Sequence, residues 1–93
     1  MTDDQIRKLV TPVLRKALAQ SGYRSATVQS EADFDGNPIV RIVASVSSED
    51  VPAETLLDAQ HEIRSLLIGK GDDRFVFLDA VHPHEEFMDE DIG

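Results

Sequence analysis

The sequence predicts an α+β two-layer sandwich in the order α-β-β-α-β, with two helices packed on one face of a three-stranded mixed sheet. Three observations carry this. Residues 6–18 and 53–67 place apolar side chains at helical spacing. Residues 25–34 and 39–47 alternate or are β-branched on either side of Asp35-Gly36-Asn37-Pro38. Residues 74–81 then form a nearly continuous apolar run. Each such element must bury one face, and a helix layer laid on a sheet does so.

The first helix is expected over about 3–20. Thr2-Asp3-Asp4-Gln5 reads as a capping box, in which hydroxyl and amide satisfy each other's backbone N–H groups. Ile6, Leu9, Val10, Val13, Leu14, Ala17 and Leu18 then fall on one stripe. Asp3–Arg7 and Asp4–Lys8 are favourable i,i+4 pairs. Pro12 removes one N–H, so a kink is expected there. Gly22 supplies the stop.

The next two elements read as a hairpin. Ala26, Val28, Ala32 and Phe34 share one face of the first strand, opposite Thr27, Gln29, Glu31 and Asp33. The apolar set of the second strand is Val40, Ile42, Ala44 and Val46. A two-residue loop would set these against the polar face, because a one-residue slip inverts a strand. A three-residue loop, Asp35 to Asn37, keeps the apolar sets together. It pairs Ala32 with Val40, Val28 with Ala44 and Ala26 with Val46.

Ser47–Asp50 offer cap candidates for the second helix, and Pro52 suits its first turn. Ala53, Leu56, Ala59, Ile63, Leu66 and Leu67 make its stripe, and Gly69 ends it. In the last strand Phe75, Phe77 and Val81 take one face, and Val76, Leu78 and Ala80 the other. If this strand runs parallel to its neighbour, the crossover should be right-handed. The domain is expected to span 1–83, with 84–93 an acidic flexible tail.

Composition narrows function. The chain has 93 residues, a net charge of -9 and no cysteine. No disulfide framework or thiolate metal site is therefore available. No apolar run approaches the ~18 residues of a membrane span. Acidic Met1-Thr2-Asp3-Asp4 does not read as a secretory leader, so a cytoplasmic protein is expected. The negative balance makes nucleic acid an unfavourable partner. Charge is also uneven, +3 over residues 1–24 and -12 over 25–93. Such asymmetry marks interaction surfaces.

No nucleophile elbow, phosphate loop or base-paired nucleophile is present, so no catalytic residue and no cofactor are assigned. The last strand instead carries more apolar surface than two short helices can cover. Ile39, Arg41, Val43, Phe75 and Phe77 are expected on the back of the sheet as a partner or dimer interface. Glu54, Asp58 and Glu62 recur every fourth residue on the second helix and, with Glu85 and Glu86, form an acidic surface. The expected protein is a small, non-enzymatic interaction module, dimeric or bound to a basic protein partner in an antitoxin- or immunity-like role.

The alternative lies in His82-Pro83-His84-Glu85, with His61 on the second helix. Imidazole and carboxylate together suit Zn or Ni. The αββαβ order, Ala59-Gln60-His61-Glu62-Ile63 and Val81-His82-Pro83 resemble the cytoplasmic domain of cation diffusion facilitators. That resemblance implies a dimerising, metal-sensing module. The same order is also similar to the KH-type fold of a ribosome-binding factor, through Ile63-Arg64-Ser65-Leu66-Leu67. A GxxG loop is missing, and the charge opposes RNA.

Overall fold

Thr2 starts the fold as its sequence predicts. Its hydroxyl accepts from the Gln5 N–H at 3.1 Å, and the Gln5 side chain accepts from the Thr2 N–H at 2.9 Å. In the computed structural model, which describes residues 1–82, helix α1 then runs Asp3–Ala17. It ends three residues short of the expected 20. A 3₁₀ turn over Ala19–Ser21 tightens the exit, and Gly22 closes it at φ 77°. Pro12 does not interrupt α1. It lies exposed on the outer side, as does Lys8, whose carbonyl loses its donor where water can replace it.

Strand β1 is Tyr23–Ala32, β2 is Pro38–Val46, helix α2 is Ala53–Gly69 and β3 is Phe75–Val81. The sheet order is β1-β2-β3, with β1 antiparallel and β3 parallel to β2. Both helices pack against one face. The predicted α-β-β-α-β sandwich is therefore the fold.

The hairpin keeps the predicted faces and shifts the predicted register by two residues. Ala32 pairs with Pro38, Val28 with Ile42 and Ala26 with Ala44, not with Val40, Ala44 and Val46. The cause is Asp33. Its Oδ1 accepts from the N–H groups of Asp35 and Asn37, both at 2.9 Å, and its own N–H donates to the Asn37 carbonyl. The turn therefore opens at Asp33 and spans residues 33–37. These N–H groups, Asn37 foremost, hold the Asp33 carboxyl below its ordinary pKa. The longer loop also removes Phe34 from the inner face where alternation had put it. Phe34 stands fully exposed at the tip.

The core lies between the helices and the even-numbered face of the sheet. Ile6, Val10, Leu14 and Leu18 meet Val40, Ile42, Ala44 and Val46 on β2, Val76 and Leu78 on β3, and Ala59, Ile63 and Leu67 on α2. Truncating one of the large members to alanine costs about 2–5 kcal/mol. The expected Ser47–Asp50 cap of α2 does not form. Pro52 occupies the N-cap without a side-chain bond, and Ser48 instead closes a local turn with the backbone of Asp50.

A polar knot ties the far end of the sheet together. Arg74 donates to Asp72 at 2.6 Å, to the Ser30 hydroxyl on β1 at 2.9 Å and to the Met1 carbonyl at 3.2 Å. Ser30 in turn donates to Asp3. The Asp72 side chain is only 9% exposed, and its bonds from Arg74 hold its pKa at about 2.

Candidate functional site: the open face and the β3 edge

Among the described residues, no helix lies on the odd-numbered face of the sheet. It carries Ile39, Arg41 and Val43 from β2 and Phe75, Phe77 and Val81 from β3. Register sets Ile39 beside Phe75 and Arg41 beside Phe77. All five residues expected at an interface thus share this open face. Phe75 and Phe77 remain 44% and 40% exposed, and Val43 is half-buried. Ile39 corrects the expectation of an exposed patch member, since it is only 3% exposed. It lies in the register between Glu31 and Phe75, with a neighbouring strand on each side.

The aromatic pair is held in place. The Phe75 and Phe77 rings meet edge to face, with centroids 4.8 Å apart. The Arg41 guanidinium lies 5.6 Å from the Phe77 centroid, and its Nε donates to Glu31 Oε1 at 3.0 Å. Glu31 therefore orients Arg41, and Arg41 covers one ring. Two exposed rings fixed by neighbours form a pre-organised apolar surface, which lowers the entropy lost on binding.

The surface continues around the edge of β3. Leu57, Gln60, Arg64 and Ile68 recur at intervals of three and four along one flank of α2. Gln60 Oε1 accepts from the Leu78 N–H at 3.0 Å, and so caps one backbone donor of that edge. Arg64 reaches the Phe75 ring, 5.6 Å from its centroid, and its Nε is buried with no hydrogen-bond partner among the described residues. Leu57 and Ile68 are about half exposed on the same flank. Sequence reasoning missed these four. The signal was present, because Leu57 and Ile68 fall outside the buried stripe of α2 and share a second stripe.

The acidic positions divide. Glu54, Asp58 and Glu62 are exposed on α2, and none forms an ion pair among the described residues. Arg15 and Lys16 of α1 do not reach them. Glu85 and Glu86 lie outside the described residues.

The histidine cluster is likewise only partly described. His82 follows β3 half-buried, with Nδ1 3.3 Å from the Val46 carbonyl oxygen. His61 is exposed on α2, while His84 and Glu85 lie outside the described residues. Among the described residues no three histidine or carboxylate side chains converge. Nor is any described helix long and apolar enough to cross a membrane.

No protein-family model and no curated protein matches the chain. Among solved structures it is similar to a MamM-CTD variant, with a TM-score of 0.42 and 13% identity over 82% of this chain and 98% of that one. A likeness of that degree assigns neither family nor function.

Proposed function

We propose that this domain is a non-enzymatic protein-interaction module that takes a basic protein partner on the open face of its sheet. The observation that carries the reading is the fixed, exposed Phe75–Phe77 pair on a face that no described helix covers. Exposed apolar surface rimmed by oriented polar groups is what an interface core needs. Leu57 and Ile68 extend it around the β3 edge.

Charge favours a basic partner over a second copy. Each copy carries a net charge of -9, so two copies repel before their open faces meet. Glu54, Asp58 and Glu62 are left without ion-pair partners among the described residues, and a basic surface is attracted to them.

The test uses three forms of the full chain: the natural one, Phe77→Glu, and Glu54→Gln/Asp58→Gln/Glu62→Gln. Each is immobilised and exposed to a lysate of its source cells at low and high salt. A basic protein is expected to stay on the natural chain. Phe77→Glu should lose it, and the triple variant should hold it less tightly at low salt. Equal capture by the natural chain and Phe77→Glu overturns the reading. Light scattering on the purified chain then separates the alternative. A stable dimer lost in Phe77→Glu assigns the face to a second copy.

A further inference from the structure

The two outer edges of the sheet are finished differently. Along β1, Arg7, Lys8, Arg15 and Arg24 line a basic cleft between α1 and the strand. Along β3, the edge and the α2 flank above it are complementary to themselves. Among the described residues β3 pairs with β2 alone. The Leu78 N–H points to Gln60 of α2 and away from β2. Peptide groups alternate in direction along a strand, so those of Val76, Leu78 and Ala80 all face outward. We propose that this edge pairs with the β3 edge of a second copy, antiparallel about a twofold axis through Phe77.

Geometry and charge together fix the axis. Outward-facing residues of one strand must meet outward-facing residues of the other. Even-numbered positions of β3 therefore meet even-numbered ones, and the axis passes through a residue and not between two. Gln60 reaches the Leu78 N–H, and Arg64 reaches the Phe75 ring. The middle of the α2 flank is thus level with Val76 and Phe77. Charge selects Phe77. Asp79 is exposed on the odd-numbered face and has no ion pair among the described residues. Arg64 Nε is buried with no hydrogen-bond partner among them. Within one chain Asp79 lies four residues beyond Phe75, roughly 13 Å along the strand. An axis through Phe77 sets the second copy's Asp79 opposite Phe75 and beside Arg64.

The same axis serves the helices. It turns the flank of Leu57, Gln60, Arg64 and Ile68 onto itself, Leu57 opposite Ile68 and Gln60 opposite Arg64. Both aliphatic members are about half exposed and so have surface to bury. Gln60 exchanges the Leu78 N–H for a guanidinium, and that N–H gains the Val76 carbonyl of the second copy. Such self-complementarity is what a twofold contact requires. Joined edge to edge, the two open faces lie side by side and do not meet. The proposal therefore goes beyond the basic-partner reading and does not depend on it.

The test is sedimentation equilibrium of the full chain at about 0.5 M salt, which screens the long-range repulsion of two acidic copies more than a partly buried ion pair. A dimer is expected. Asp79→Lys should raise its dissociation constant about tenfold, because like charges then meet at two equivalent contacts. It should do so even though it lowers the net negative charge that drives copies apart. Arg64→Glu should act in the same direction, and the combined variant, of natural net charge, should recover most of the affinity. In a mixture of isotopically labelled and unlabelled chains, the Phe77 Hα should show a cross-peak to the Phe77 Hα of the second copy. The two Cα atoms would be about 4.5 Å apart across the axis. A chain that stays monomeric at millimolar concentration overturns the proposal. So does unchanged or tighter association of Asp79→Lys, or a combined variant no tighter than either single one. A dimer without the Hα contact overturns it as well. Copies stacked face to face, which Phe77→Glu would also separate, give no such contact, since stacked sheets stay about 10 Å apart.

Discussion

Along β1 the outer edge of the sheet faces a row of cations from α1, whereas along β3 it faces Gln60, Arg64 and two exposed aliphatic side chains of α2. Both are edge strands of the described sheet, and each is protected differently. Charge guards β1, because a second strand approaching it must also approach Arg7, Arg15 and Arg24. Side-chain capping guards β3, where Gln60 satisfies the Leu78 N–H. The difference teaches where apolar contact is tolerated. The β1 edge repels basic surfaces and attracts acidic ones. The β3 edge, with Phe75 and Phe77 around the corner, offers carbon.

The largest predicted effect tests how β1 is positioned. Gly22 sits at φ 77°, and a Cβ there would fall 1.8 Å from the Ser47 hydroxyl oxygen. Left-handed backbone alone costs a non-glycine residue about 1–2 kcal/mol. Gly22→Ala should therefore lower unfolding free energy by at least about 2 kcal/mol in urea titration. Adding Ser47→Gly should restore only the part due to the clash. Full restoration would mean that the backbone conformation carries no strain.

A smaller effect tests the knot that joins the two edges, since Arg74 spans from Asp72 to Ser30 on β1. The Asp72 pKa is held at about 2, below its ordinary 3.8. A depressed carboxyl stabilises the fold fully above its unfolded value and loses that contribution as pH falls through its folded value. Asp72→Asn should thus cost about 1–2 kcal/mol near pH 6, after allowance for solvent screening. The gap between the variant and the natural chain should shrink from pH 4 downward and close only below pH 2. A gap that stays constant across that window would show that Asp72 acts without its charge.

These elements were legible to different depths. The fold order and both buried stripes were plain, because periodicity reports which face is buried. The parity of the hairpin was legible for the same reason. Its absolute register was not, because the decisive bonds are from Asp33 to backbone N–H groups and leave no mark on hydropathy. The open face was also readable, since Phe75 and Phe77 alternate with Val76 and Leu78. Burial of Ile39 was not, because it depends on the neighbours that two pairings place around it. The basic cleft needed the fold. Arg7 and Arg15 are far from Arg24 in sequence, and only α1 crossing beside β1 brings them together.

At the β3 edge, Gln60→Ala removes the acceptor of the Leu78 N–H. Water can reach an edge donor, so the cost should be about 0.5–1 kcal/mol. Exchange of the Leu78 amide should quicken more than that of its neighbours. Equal quickening along β3 would mean that Gln60 holds the whole strand and not one donor.

The smallest effect concerns the polar clamp beside the aromatic pair. Arg41 and Glu31 are each more than one-third exposed, at 38% and 35%, which limits their mutual attraction. Glu31→Gln should change stability by no more than about 0.2–1 kcal/mol, and less at high salt. Its effect on the surface should exceed its effect on stability. Without the carboxylate, Arg41 loses the bond that fixes it 5.6 Å from the Phe77 ring. The ring-current shifts of the Arg41 side-chain protons should therefore collapse in the Glu31→Gln spectrum. Were those shifts to persist, the Phe77 ring alone would suffice to hold Arg41, and the open face would be pre-organised by its carbon and not by its ion pair.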